Sequence, residues 1–95
     1  MVNRLLFAML NEACQAERVG VATIEDIDQA MKLGLGHPMG PFALMDLIGL
    51  DVCLAILESL ARDCGTNFRP SPRLRQLVAV GRLGKKTGAG FYQYG

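Results

Sequence analysis

An all-α fold of five short helices is predicted by three observations. Apolar residues recur at three- and four-residue spacing in five stretches. No stretch alternates with period two, so no strand is indicated. A glycine or a cap-then-proline pair punctuates the boundaries between stretches. The 95 residues suffice for one small domain, and the 51% hydrophobic content excludes disorder. That fraction also leaves apolar surface for a partner.

Residues 2–19 read as the first helix, with Leu6, Met9, Leu10, Ala13, Cys14 and Ala16 on one face and Gly20 as its stop. Thr23 caps a second helix, with Asp26 three residues on in a variant of the capping box. Its stripe is Ile24, Ile27, Ala30, Met31 and Leu33, and Gly34 closes it. Residues 34–40 form a glycine-rich loop. Gly40-Pro41 opens a third helix to about Ile48, because a proline at the first helical position loses no hydrogen bond. Gly49 is a break, and Asp51 caps a fourth helix over residues 52–64. Val52, Cys53, Ile56, Leu57, Leu60 and Ala61 point inward there, and Gly65 ends it. Thr66 to Pro70 is irregular; Ser71-Pro72 then starts a fifth helix carrying Leu74, Leu77, Val78 and Val80. The tail from Gly81 is too glycine-punctuated for a helix and folds back through Phe91, Tyr92 and Tyr94.

Charge and cysteines narrow the function classes. Ten Lys+Arg against nine Asp+Glu give a net charge of +1, which supports neither nucleic acid nor an anionic membrane as partner. The basic cluster Arg69, Arg73, Arg75, Arg82, Lys85 and Lys86 reads as a solvated face, with an anionic ligand as the alternative. Three cysteines form no closed disulfide framework and suit a reducing cytoplasm; Cys14 and Cys53 fall on apolar faces as core residues. With one histidine and no C-x-x-C pair, a metal site is not expected. The apolar run after Arg4 is too short for a signal peptide, and no stretch is long enough to span a membrane.

Four motifs invite a chemical reading. Gly34-Leu35-Gly36-His37-Pro38-Met39-Gly40 has the wrong glycine spacing for a dinucleotide fingerprint and follows a helix, so it reads as a helix stop and restart. Gly84-Lys85-Lys86-Thr87-Gly88-Ala89-Gly90 lacks the first glycine of a phosphate loop and carries Lys86 where Ser or Thr is needed. It reads as a tight turn, with a lysine steering a phosphate as the alternative. His37 reads as a turn residue, unless Asp46 or Glu58 approaches it in space. Asn3, taken alone, reads as an exposed residue of a first turn.

Asn3-Arg4-Leu5-Leu6, Val21 to Asp28, the run His37-Pro38-Met39-Gly40-Pro41-Phe42 continuing to Asp51, and Gly81 to Tyr94 together resemble the C-terminal domain of the 3-hydroxyacyl-CoA dehydrogenases, most of all the bacterial 3-hydroxybutyryl-CoA dehydrogenases. The resemblance covers nearly the whole chain. It implies a helical fold of the 6-phosphogluconate-dehydrogenase C-terminal-like type, forming one domain over residues 1–95. It implies that Asn3 reaches into an interdomain cleft and hydrogen-bonds the reacting oxygen or a catalytic histidine, as an amide can do without titrating. It further implies that Asn3 and Met39 contribute to the acyl-CoA site and that the domain forms a homodimer. NAD or NADP and the catalytic His–Glu pair belong, in the family, to an N-terminal Rossmann domain absent from this sequence. The chain alone is therefore expected to be inactive, as a fragment or as a short protein carrying this domain only. A helical dimerisation module without catalytic duty is the alternative.

Overall fold

The computed structural model describes residues 2–94, with the side chains of residues 4–66 and 68–94. Five α-helices follow in order: α1 (Val2–Arg18), α2 (Ile24–Leu35), α3 (Pro41–Ile48), α4 (Leu50–Cys64) and α5 (Pro72–Ala79). Single 3-10 turns occupy Thr66–Phe68 and Lys85–Thr87. Among the described residues there is no strand, only isolated bridges pairing Gly84 with Ala89 and Ala89 with Gln93.

The core forms where α1, α3 and α4 meet. Phe7, Leu10 and Cys14 enter from α1, Phe42 and Met45 from α3, and Leu50, Cys53 and Leu57 from α4. Phe68 and Leu74 close it from the second half. Each buried Leu, Met or Phe side chain contributes about 1.5–3 kcal/mol by leaving water. Phe7 was not among the residues expected on the inner face of α1. It belongs there because Phe7, Leu10 and Cys14 stand at i, i+3 and i+7, while Leu6 and Met9 flank that line half-buried.

Local chemistry sets several boundaries as predicted. Thr23 Oγ1 accepts from the Asp26 N–H at 3.2 Å, and Ser71 Oγ from the Arg73 N–H at 3.2 Å. Pro41 is the first residue of α3, which ends at Ile48 before Gly49, whose φ is +109°.

Other expectations need correction. Helix α2 does not close at Gly34 but runs to Leu35, because the left-handed residue that stops it is Gly36, at φ +68°. Asp51 is not the cap of α4. The helix begins at Leu50, whose N–H is met by the Leu83 carbonyl at 2.9 Å, and Asp51 pairs instead with Lys86 Nζ at 2.6 Å. Ala30, Leu33, Val52 and Val80, expected to face inward, are exposed. Helix α5 ends one residue before Val80, and the outer half of α2 extends past the core it packs on.

Helix α5 is tied down by side chains. Arg73 reaches Glu17 of α1 and Arg75 reaches Glu58 of α4, both at 3.2 Å. Exposed pairs of this kind add little. The buried Asn11 amide donating to the Arg69 carbonyl at 2.9 Å does more to hold the segment before α5.

Candidate functional site at the Met39 turn

The turn that carries Met39 is built from outside itself. Its N-cap residue, Gly40, has no side chain to accept from the first turn of α3. Asp28 of α2 does this work: Oδ1 accepts from the Phe42 N–H at 2.8 Å and Oδ2 from the Ala43 N–H at 3.1 Å. A carboxylate at a helix N-terminus is favoured by the helix dipole as well as by the bonds. Tyr92 from the tail adds a third donor, its hydroxyl lying 2.6 Å from Oδ2. Gly40 must be glycine, because a Cβ there would overlap the backbone and side chain of Asp28. Met39, half-buried, then lines a cavity of about 250 Å³ with Asp28, Lys32, Gly40, Ala43 and Tyr92. Three donors occupy the Asp28 carboxylate.

A second buried aspartate holds the tail. Asp46 of α3 accepts from the N–H groups of Phe91 at 2.9 Å and Tyr92 at 3.0 Å, and from the Tyr94 hydroxyl at 2.6 Å. Gly90 is glycine because a Cβ would strike Asp46 Oδ1. Phe91 packs edge-to-face on Phe42, with ring centroids 4.8 Å apart. Burial, and after it the bond to an aspartate, pushes both tyrosine hydroxyls above the ordinary tyrosine range.

The candidate motifs sort clearly. The helix stop and restart at Gly34–Gly40 is confirmed by the left-handed Gly36. The Lys85–Thr87 segment is a tight turn: Thr87 N–H bonds the Gly84 carbonyl, Gly88 N–H the Lys85 carbonyl and Gly84 N–H the Ala89 carbonyl. Lys86 pairs with Asp51, whose carboxyl it holds below the usual range, and Lys85 lies 5.6 Å from the Tyr94 ring centre. With Arg82 bonded to the Gly90 carbonyl and Arg73 and Arg75 in ion pairs, most of the basic cluster is committed within the fold. Neither carboxylate considered for His37 serves it, since Asp46 holds the tail and Glu58 holds Arg75.

Cys14 and Cys53 are buried in the core as expected, and burial pushes each thiol up to about 12, so neither offers a thiolate. Among the described residues no group of His, Cys, Asp and Glu is arranged to hold a metal ion, and no helix is long and apolar enough to cross a membrane. Asn3 lies in the first turn of α1, and its side chain falls outside the described residues.

Reading the sequence placed Tyr92 in a tail that folds back but missed its bond to Asp28, and missed Asp28 and Asp46 as the acids that hold the turn and the tail. A signal was present: Asp28 stands four residues after Ile24, in line with an apolar stripe, and Asp46 four after Phe42. An acid on an apolar face is a paired acid.

Comparison with known proteins places this arrangement. A family model described as "3-hydroxyacyl-CoA dehydrogenase, C-terminal domain" matches residues 1–94. The probable 3-hydroxybutyryl-CoA dehydrogenase of Deinococcus radiodurans is 57% identical over 93 residues, covering 97% of this chain and 34% of the relative. That of Bacillus subtilis is 55% identical over 93 residues, covering 97% and 32%. The crystal structure of (S)-3-hydroxybutyryl-CoA dehydrogenase from Ralstonia eutropha superposes with a TM-score of 0.95 at 48% identity, covering all of this chain and 34% of that one. The chain thus spans about a third of the length of the curated relatives it matches.

Proposed function

The chain belongs to the 3-hydroxyacyl-CoA dehydrogenase C-terminal-domain family, and on that premise we propose that it is the helical, substrate-side domain of an enzyme that oxidises 3-hydroxyacyl-CoA to 3-oxoacyl-CoA. The 57% identity to a probable 3-hydroxybutyryl-CoA dehydrogenase, running over almost the entire chain, carries the reading and favours the four-carbon substrate. NAD or NADP, held by a separate N-terminal Rossmann domain, supplies the hydride acceptor. This domain supplies position. The Asn3 carboxamide donates to the reacting oxygen or fixes the catalytic histidine of the other domain. The Met39 turn forms a wall against the acyl-CoA. The domain works in the cytoplasm as part of a homodimer and turns over no substrate by itself.

The test joins this chain to the nucleotide-binding domain of the Bacillus subtilis relative. The fusion is expected to oxidise 3-hydroxybutyryl-CoA with NAD or NADP, and the chain alone is not. Asn3→Ala in the fusion should lower turnover about tenfold or more, with thermal unfolding unchanged, because it removes one preorganised donor. A folded fusion inactive on 3-hydroxyacyl-CoAs of every chain length would overturn the proposal. Full turnover in Asn3→Ala would remove Asn3 from the site.

A further inference from the structure

We infer that Tyr92, acting through Asp28, is a positioning residue for the Met39 turn, so that the C-terminal tail sets the substrate wall. The inference rests on the substrate role proposed for that turn. Its physical basis is one oxygen atom. Asp28 Oδ2 accepts both from the Ala43 N–H, at 3.1 Å, and from the Tyr92 hydroxyl, at 2.6 Å. The first bond fixes the start of α3, and the second fixes Asp28 to the tail. Gly40 adds no side-chain cap of its own, so the entry of the chain into α3 depends on this carboxylate. Met39 directly precedes Gly40 and shares its cavity with both Asp28 and Tyr92. A shift of the Asp28 carboxylate therefore displaces the turn, and with it the wall.

The tail carries its own control. It is held independently by Asp46, through the Phe91 and Tyr92 N–H groups and the Tyr94 hydroxyl. Removing the Tyr92 hydroxyl leaves those three bonds in place, so the tail stays docked while Asp28 loses its third donor. Removing the Tyr94 hydroxyl deletes the same chemical group from Asp46, and Tyr94 does not line the Met39 cavity. A purely structural role for the two tyrosines predicts like effects from both deletions. Positioning predicts unlike ones.

In the fused enzyme, Tyr92→Phe is expected to raise KM for 3-hydroxybutyryl-CoA about fivefold with kcat within about twofold, the signature of weakened ground-state and transition-state binding alike. Tyr94→Phe should leave both within about twofold. A second measurement needs no activity. In the 95-residue chain with ¹³C-methyl methionine, assigned through Met39→Leu, Tyr92→Phe should move the Met39 methyl signal and Tyr94→Phe should not. An unmoved Met39 signal in Tyr92→Phe, or equal shifts from both substitutions, overturns the inference. So does an unchanged KM in an active fusion. An inactive parent fusion is recognisably different: it refutes the substrate role itself, and with it the tail's claim on the substrate, whatever the Met39 signal does.

Discussion

At the scale of single residues, two buried carboxylates carry interactions that no surface charge supplies. Asp46 is 1% exposed and accepts from two backbone N–H groups and one hydroxyl. Replacing one carboxylate oxygen by an amide nitrogen sets a donor against a donor, so Asp46→Asn should destabilise the fold by about 2–4 kcal/mol. Denaturant unfolding beside the exposed-site variant Asp63→Asn, expected to be neutral, measures it. The tyrosines bonded to these carboxylates give a pH dependence of definite sign. Both hydroxyls are raised by burial and by their aspartate partners, so the native state holds these protons more tightly than the unfolded chain. Their contribution is fully present below the unfolded tyrosine value, about pH 10, and is lost as pH rises beyond it. Unfolding followed from pH 8 to pH 12 should show a steep loss above about pH 10, flattened in the double variant Tyr92→Phe/Tyr94→Phe.

At the scale of elements, what mattered was whether a boundary is written locally. Thr23 and Ser71 cap helices within a few residues of themselves, and both were legible in the sequence; Gly40-Pro41 marked the start of α3, but its cap comes from Asp28. The start of α4 was not legible, because the group that satisfies the Leu50 N–H is the Leu83 carbonyl, far along the chain. Asp51 looked like the cap only because that distant carbonyl could not be foreseen. The site divides the same way. Met39 entered only through the family resemblance, whereas Asp28 finds its partners 14, 15 and 64 residues away. The packing of α2 against the start of α3 is close enough to test directly. A Cβ at Gly40 would fall on the Asp28 backbone, which cannot swing aside as a side chain would. Gly40→Ala should therefore cost about 1–3 kcal/mol or more by overpacking, and alanine is also a poorer N-cap than glycine. A thermal midpoint at or above that of the parent would show that the two helices can separate.

At the scale of the whole molecule, the domain presents more apolar surface than its own core can cover. Leu33 and Leu35, on the outer half of α2, are 76% and 64% exposed, and Leu5, Val19, Val21, Leu47, Val52 and Val80 are exposed as well. Helix α2 explains part of this: Ile24 and Ile27 pack on the core, but the apolar pattern continues to Leu35, past the last point where α2 has anything to pack against. The sequence showed the surplus in its 51% hydrophobic content, yet it could not show which face carries it, since the periodicity of α2 looks the same along its length. An apolar helix end in water calls for a cover, and the homodimer proposed above would supply one in a second copy. The chain should therefore sediment at twice its 10.3 kDa mass and dissociate on dilution. Leu33→Glu/Leu35→Glu, which alters two side chains the fold does not bury, should give a folded monomer whose unfolding no longer depends on protein concentration. A parent that stays at 10.3 kDa at every concentration would refute the dimer. A double variant that still dimerises would move the interface to the other exposed residues, away from the end of α2 that leads into the Met39 turn.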